Sequence, residues 1–118
     1  MARILLIDDD DSVRKALRLA LTHSGHTVTE ARNGKEGLKL LPEVNADVLI
    51  TDIVMPEMTG IELAISIRRD MPDCKVLLFS GKLGALELIQ KAEKSGHNLH
   101  LLEKPVHPTK LIEAMRAL

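Results

Sequence analysis

Four apolar segments of this chain each run directly into polar residues whose side chains can bind or accept phosphate. The segments are residues 4–7, 48–51, 76–79 and 99–103. The residues that follow them are Asp8 and Asp9, then Asp52, then Ser80, and finally Lys104. Three carboxylates against one ammonium leave a negative surplus that favours a divalent cation, and oxygen ligands suit Mg²⁺ or Mn²⁺. If these side chains meet, they form a site for a metal ion and a phosphoryl group.

Such a set of side chains could carry phosphoryl transfer. An aspartate carboxylate can act as the nucleophile and form an acyl phosphate. The reaction asks the protein mainly for alignment and charge neutralisation, which a metal ion on one side and the ammonium of Lys104 on the other would supply. The hydroxyl of Ser80 offers a hydrogen bond to a phosphoryl oxygen, so its position can respond to phosphate.

The elements that must position these residues follow from the hydrophobic pattern. Short apolar runs separated by helix-like segments are typical of central strands in a parallel sheet that is covered on both faces. All strands of such a sheet point the same way, so their polar ends gather at the edge where open α/β sheets bind ligands. A more openly alternating segment at residues 27–31 predicts a further strand at the edge of the sheet.

Helical patterns alternate with the strands and predict five βα units. The first helix is predicted at about residues 12–24, with a buried side marked by Val13, Ala16, Leu17 and Ala20. The other predicted helices are a short one that Pro42 ends, one that Pro72 closes, one at about residues 84–95, and a last one that begins near Pro108. The predicted fold class is α/β with a doubly wound parallel sheet.

Composition limits the classes of function. The chain has 118 residues, 45% of them hydrophobic, so we expect residues 1–118 to form a single domain. A net charge of −1, the lack of a dense Lys/Arg cluster and a single aromatic residue, Phe79, argue against nucleic-acid binding. The lone Cys74 and the short apolar runs predict neither an internal disulfide nor a membrane span, and we expect a cytoplasmic protein.

The strand ends and their flanking residues resemble the receiver domains of two-component response regulators. The matching motifs are Ile-Leu-Leu-Ile-Asp8-Asp9-Asp10, Asp52-Ile-Val-Met-Pro56-Glu-Met-Thr-Gly60, Leu-Leu-Phe-Ser80-Gly81 and Leu-Glu-Lys104-Pro105. They follow one another in the family's order and span essentially the whole chain. The resemblance implies a flavodoxin-like (βα)5 sheet with the strand order 2-1-3-4-5.

The resemblance also implies a role for each site residue. Asp52 would accept a phosphoryl group from a histidine kinase or a phosphotransfer protein, and Asp8, Asp9 and the backbone carbonyl of Val54 would bind Mg²⁺ with it. The residues that match the family's phosphate-contacting hydroxyl and its lysine are Ser80 and Lys104. The chain would then be a phosphoacceptor signalling domain that catalyses only its own phosphorylation and dephosphorylation.

Three positions bear on how such a domain would switch. Leu101 stands where the family usually has Tyr or Phe, so no ring can follow a movement of Ser80. Val54 and Lys82 occupy positions that influence the attacking water, and Val54 offers that water no hydrogen bond, which favours slow self-dephosphorylation. The output surface implied by the family is the fourth predicted helix, the fifth strand and the last helix, through which a homodimer can also form. The output domain or downstream protein cannot be named from the sequence.

Three other functions stay open on the sequence alone. A degenerate receiver would bind partners without phosphorylation, and Leu101 keeps that alternative open. A phosphatase of the haloacid-dehalogenase type also forms an aspartyl phosphate, but it needs a second aspartate two residues after the nucleophile, where this chain has Val54. A flavodoxin-like cofactor binder would need a Ser/Thr-rich phosphate loop and aromatic residues for the flavin, which this sequence lacks.

Overall fold

Five strands form the central layer of the molecule in a computed structural model that describes residues 2–53, 60–80, 90, 94, 100–103 and 107–117. They are β1 (Arg3–Ile7), β2 (Thr27–Ala31), β3 (Val48–Asp52), β4 (Lys75–Ser80) and β5 (His100–Glu103). All neighbouring strands are parallel, and they pair in the order β2-β1-β3-β4-β5. The predicted α/β class and the strand order 2-1-3-4-5 are confirmed.

Four helices whose bounds fall within the described residues cover the two faces of this sheet. They are α1 (Asp11–His23), α2 (Gly34–Val44), α3 (Gly60–Asp70) and α4 (Pro108–Arg116). The helix predicted at residues 84–95 falls mostly outside the described residues, although Gln90 and Lys94 are helical. Among the parts of the chain that are described, no helix is long and apolar enough to cross a membrane.

Two separate hydrophobic layers hold the helices on the sheet, because successive strand side chains point to opposite faces. Leu5 and Ile7 of β1 pack toward α2 and α3, whereas Ile4 and Leu6 pack toward α1 and α4. The first layer also contains Leu49, Ile53, Leu63, Ile67 and Leu78, and the second contains Leu17, Leu21, Ile50, Phe79 and Leu111. A sheet buried on both faces explains why its strands read as continuous apolar runs.

Helix α1 begins and ends at residues with clear local reasons. The Asp10 carboxylate caps it by accepting hydrogen bonds from the backbone N–H groups of Ser12 (2.9 Å) and Val13 (3.2 Å). After the helix, Gly25 adopts a φ of 94°, a left-handed conformation that glycine takes without strain. The start of α1 is thereby fixed directly after Asp8 and Asp9.

The predicted buried side of α1 was wrong in part. Leu17 is buried as expected, but Ala16 is exposed, and the other buried positions of the helix are Arg14 and Leu21. The helix is rotated toward the longer side chains, because a leucine removes more apolar surface from water than an alanine does. A buried arginine in this stripe needs a specific set of partners.

Pro42 does not end the second helix, contrary to the prediction. Helix α2 continues through Pro42 to Val44 and is capped by Asn45, whose φ is 50° and whose N–H donates to the carbonyl of Leu41 at 3.1 Å. A proline inside a helix removes one hydrogen bond but does not prevent continuation when the helix packs on a core. Asn tolerates the left-handed conformation that closes the helix.

Helix α2 packs closely on β1 at Gly37, which has no side chain. A Cβ at position 37 would overlap Cδ1 of Ile7 and lie 3.2 Å from its Cγ1. Ile7 is fully buried and directly precedes Asp8. The packing of α2 is therefore tied to the strand that carries the first acidic residues.

Candidate functional site

The parallel register sets Asp8 beside Asp52. Ile7 of β1 is paired with Thr51 of β3. Asp8 and Asp52, which directly follow these two residues, therefore lie at the same edge of the sheet. Asp52 is the last residue of β3, and Asp8 directly follows β1. The strand ends thus meet at the carboxyl edge, as the sequence predicted.

Three carboxylates converge at this edge. One oxygen from each of Asp8, Asp9 and Asp52 lies within 4.8 Å of the other two. Asp8 is 0% exposed and Asp52 is 3% exposed, whereas Asp9 is exposed to solvent. Two buried carboxylates and one exposed carboxylate form a small pocket of negative charge that opens to water on the side of Asp9.

The backbone and side chain of Asp8 are held from three directions. Its N–H donates to the carbonyl of Ala31 at the end of β2 (3.2 Å), and its carboxylate accepts a hydrogen bond from the N–H of Asp10 (2.9 Å). Its carbonyl oxygen accepts a hydrogen bond from Nη1 of Arg14 (2.7 Å). These contacts fix the loop between β1 and α1 and the direction of the Asp8 carboxylate.

Asp52 is held by its neighbours in the sheet. It is paired in register with Phe79 of β4, and the N–H of Ile53 donates to the carbonyl of Phe79 at 3.1 Å. The hydroxyl of Thr51 donates to the carbonyl of Asp52 at 3.0 Å. The end of β3 is therefore anchored inside the core.

The other predicted site residues are described only in part. The backbone of Ser80 ends β4 one position beyond the partner of Asp52, and it is paired with Glu103 of β5, the residue before Lys104. The side chain of Ser80 and all of Val54 and Lys104 lie outside the described residues. Their predicted contacts with phosphate and metal are untested and stay predictions.

Arg14 is a site-forming residue that the sequence interpretation missed. Its side chain is 7% exposed, and besides Asp8 it contacts Asp11 through Nη2 (2.6 Å) and Glu30 of β2 through Nε (3.1 Å). Burial lowers the pKa of the Arg14 guanidinium, but its hydrogen bonds to Asp11 and Glu30 outweigh burial and the pKa is raised. The spacing of Arg14, Leu17 and Leu21 places all three on one helical face, and that spacing was the available signal.

The donor set at this edge fits a hard divalent cation. Carboxylate oxygens are the ligands that Mg²⁺ prefers, and Mg²⁺ commonly keeps several waters beside one or two carboxylates. Asp9 would supply a solvent-facing ligand, while Asp8 and Asp52 would supply buried ones. A cation here would also offset the repulsion among the carboxylates.

The acidic cluster is separate from the cavity at the other end of the sheet. That cavity has a volume of about 480 Å³ and is lined at the amino ends of the strands by Ala2, Val48 and Lys75, and also by His26 and Met115. The carboxylates lie at the opposite, carboxyl ends of the same strands. The chemistry of the acidic edge is therefore set by Asp8, Asp9 and Asp52 and not by the residues that line this cavity.

Comparison with known proteins agrees with this arrangement. The family model for the response regulator receiver domain matches residues 4–116. The transcriptional regulatory protein AfsQ1 of Streptomyces coelicolor is 36% identical over 117 residues, which cover 99% of this chain and 51% of AfsQ1. The receiver protein CpdR of Brucella abortus is 38% identical over 112 residues, covering 95% of this chain and 92% of CpdR. The chain therefore spans about half the length of some curated relatives and nearly all of another.

Solved structures share the fold over nearly the full length. The response regulator TrrA of Thermotoga maritima, in complex with Mg²⁺ and BeF, aligns with a TM-score of 0.84 and 29% identity. The alignment covers 99% of this chain and 98% of TrrA. The resemblance drawn from the sequence motifs is thus confirmed, and the chain belongs to the response regulator receiver domain family.

Proposed function

We propose that this domain accepts a phosphoryl group on Asp52 from a histidine kinase or a phosphotransfer protein, in a reaction that depends on Mg²⁺. The single observation that carries the proposal is the convergence of Asp8, Asp9 and Asp52 within 4.8 Å at the carboxyl edge of a parallel sheet. Receiver domains bind Mg²⁺ at an acidic pocket of this kind and are signalling domains of two-component systems. The related TrrA structure contains Mg²⁺ together with BeF.

In this proposal Asp52 is the nucleophile. A carboxylate oxygen forms a bond to phosphorus while the bond from phosphorus to the donor imidazole nitrogen breaks, and that nitrogen keeps the electron pair. The product is an acyl phosphate on Asp52. Hydrolysis by water returns the carboxylate and releases phosphate, so the domain catalyses only its own phosphorylation and dephosphorylation.

The remaining site residues would align the incoming group. Asp8, Asp9 and the carbonyl of Val54 would hold Mg²⁺, which when bound neutralises charge on the phosphoryl oxygens. The hydroxyl of Ser80 would donate a hydrogen bond to a phosphoryl oxygen, and Lys104 would pair with another one. The fixed loop of Asp8 and the anchored end of β3 support this role because they preorganise the acceptor before phosphate arrives.

The output of the domain would be a change at a surface away from Asp52. We place that surface on the predicted helix at residues 84–95, on β5 and on α4, where a homodimer could also form. Leu101 on β5 replaces the usual aromatic residue, so the change would involve Ser80 and the backbone rather than a rotating ring. Receiver domains are often fused to output domains, which fits a match to about half of AfsQ1.

Intact-mass spectrometry tests the proposal directly. The chain is incubated with acetyl phosphate, with and without Mg²⁺, alongside Asp52→Asn and the control Asp73→Asn, which changes an exposed carboxylate next to β4. We expect an acid-stable, base-labile phosphoryl adduct on the native chain and the control, and none on Asp52→Asn or without Mg²⁺.

A negative result would assign a different function. If the folded native chain forms no adduct and no beryllium fluoride complex, the domain is a phosphorylation-independent binding module. An adduct that persists in Asp52→Asn would place the acceptor elsewhere.

A further inference from the structure

We propose that Arg14 is a positioning residue for the acidic site: it clamps the backbone of Asp8 and thereby sets the affinity of the site for a divalent cation. This inference rests on the proposed function, since it concerns how the same site is held. Arg14 lies on α1 and its guanidinium is directed at the loop between β1 and α1.

The guanidinium joins three elements with three different nitrogens. Nη1 donates to the carbonyl of Asp8 at 2.7 Å, Nη2 contacts Asp11 at 2.6 Å in the first turn of α1, and Nε contacts Glu30 on β2 at 3.1 Å. Because the side chain is 7% exposed, water competes little for these bonds. The Asp8 contact holds the loop, and the contacts to Asp11 and Glu30 hold the guanidinium between α1 and β2.

Residues 30 and 31 of the edge strand act together on Asp8. The carbonyl of Ala31 accepts the N–H of Asp8 at 3.2 Å, and the carboxylate of Glu30 holds the arginine that binds the carbonyl of Asp8. The peptide groups on both sides of Asp8 are therefore tied, one directly and one through Arg14. A carboxylate whose backbone is fixed at both ends has little freedom to turn away from Asp52.

An arginine is required for this arrangement on geometric grounds. A planar guanidinium presents donors in several fixed directions, whereas a lysine ammonium is a single point from which three separate partners at these positions cannot all be reached. Placing a charge in a buried helical stripe is costly unless the charge is paired and hydrogen-bonded. An apolar residue would serve the core better, so the arginine is explained by what it holds.

Arg18 provides a matched control one helical turn later. Its Nε lies 3.1 Å from the other carboxylate oxygen of Glu30, without hydrogen-bond geometry, and its side chain is 39% exposed. Arg18 thus shares with Arg14 the helix, the residue type and the Glu30 partner, but the arginine hydrogen bond to the Asp8 carbonyl comes from Arg14. If pairing with Glu30 were the whole role of Arg14, replacing Arg14 would change the metal affinity no more than replacing Arg18 does.

The test compares metal affinity in Arg14→Met, Arg14→Lys and Arg18→Met. Mn²⁺ is titrated into each protein without any phosphate donor, and the EPR signal of free Mn²⁺ gives the dissociation constant. Loss of an outer partner of a metal ligand typically weakens binding by 10- to 100-fold. We expect about a tenfold weakening in Arg14→Met, a weakening of more than about threefold in Arg14→Lys, and a change below about twofold in Arg18→Met.

A second readout reports on the clamp without metal. The amide of Asp10 donates to the Asp8 carboxylate at 2.9 Å, so its NMR chemical shift should move in both Arg14 variants and stay in place in Arg18→Met. If Arg14→Met does not fold, Arg14→Lys decides both readouts.

The proposed role of Arg14 is wrong if the Arg14 and Arg18 changes weaken Mn²⁺ binding equally. It is also wrong if the Arg14 variants bind Mn²⁺ within twofold of the native affinity. If the native chain forms the Asp52 acyl phosphate and the Arg14 variants bind Mn²⁺ as tightly as the native chain, this inference is wrong but the proposed function stands. A native chain that neither binds Mn²⁺ nor forms the adduct defeats the proposed function as well.

Discussion

Asp52→Asn removes one of three carboxylates that crowd the carboxyl edge of the sheet, and we expect it to raise the free energy of unfolding of the metal-free domain. Most changes of a buried residue destabilise a protein. Here the expected sign is the opposite, because Asp52 repels a second buried carboxylate, Asp8, and an exposed one, Asp9.

The magnitude follows from the separations. At 4.8 Å, the upper bound for oxygens of these residues, two unit charges repel by about 3.5 kcal/mol at an effective dielectric constant of about 20 and by about 0.9 kcal/mol in water. The first value suits the buried pair Asp8–Asp52, and the second suits the pair with exposed Asp9. An amide also forfeits charge-assisted hydrogen bonding worth about 1.5–3 kcal/mol. These terms alone give a net gain of about 1–3 kcal/mol for Asp52→Asn, and a cation that pairs with Asp52 in the metal-free domain lowers this gain.

Thermal unfolding followed by far-UV circular dichroism measures this gain, since the chain has no Trp or Tyr to report by fluorescence. In EDTA the melting temperature of Asp52→Asn should exceed that of the native chain by roughly 4–12 °C for a domain of this size. The exposed control Asp73→Asn should change stability by less than about 0.5 kcal/mol.

Adding Mg²⁺ should then reduce the difference in melting temperature between Asp52→Asn and the native chain. A ligand at ten times its dissociation constant stabilises the folded state by about 1.4 kcal/mol. Bound Mg²⁺ should stabilise the native chain more than Asp52→Asn, because the variant lacks one of the three carboxylates. If Asp52→Asn melts at or below the native temperature in EDTA, or if Mg²⁺ leaves the native melting temperature flat, the argument from charge crowding is refuted.

Other predictions concern positions away from the carboxylates and the lifetime of the product. Burial lowers the pKa of His26, whose neutral Nδ1 accepts a backbone N–H at 3.0 Å. The contribution of His26 to stability should therefore be full above about pH 7 and fall as the pH drops through the unfolded pKa of about 6.5. In urea titrations, His26→Asn should make the free energy of unfolding depend less on pH. Gly37→Ala should cost about 1–2 kcal/mol in urea unfolding because its methyl overlaps buried Ile7; an unchanged midpoint would refute the close approach. Burial raises the pKa of Cys74 to about 11, so Ellman's reagent at pH 8 should react about 100-fold more slowly with the folded chain than with the unfolded chain. Val54→Asn should shorten the acyl phosphate half-life in a phosphate-release assay, and an unchanged half-life would count against slow hydrolysis caused by Val54.

The sheet and its acidic edge could be predicted from the sequence because one physical rule governs both. Parallel strands buried on two faces must be apolar throughout, so the first polar residue after each run marks the edge of the sheet. Asp8 and Asp52 were placed in this way, and the register of β1 and β3 brings them together.

Local patterns were less informative where tertiary packing outweighs them. Pro42 predicts a helix end, yet α2 continues to Val44 because the helix is held by the core. Ala16 was predicted to be buried, and the helix instead turns Leu21 and Arg14 inward. Hydrophobic periodicity treats an arginine as solvent-facing by default, so it cannot identify an arginine that is buried to hold a backbone carbonyl.

The stabilisation expected for Asp52→Asn and the burial of Arg14 have a common explanation. Both features place charge where a sequence selected for stability alone would place an amide or an apolar side chain. Asp52 must remain a carboxylate to act as a nucleophile, so the repulsion it brings cannot be removed without removing the proposed function. The bond from Arg14 goes to the backbone carbonyl of Asp8 and uses neither carboxylate oxygen, so it fixes the loop while leaving the acidic charge in place. If Asp52→Asn stabilises the domain and Arg14→Met weakens Mn²⁺ binding, the edge is held in a strained, preorganised state that a metal ion relieves.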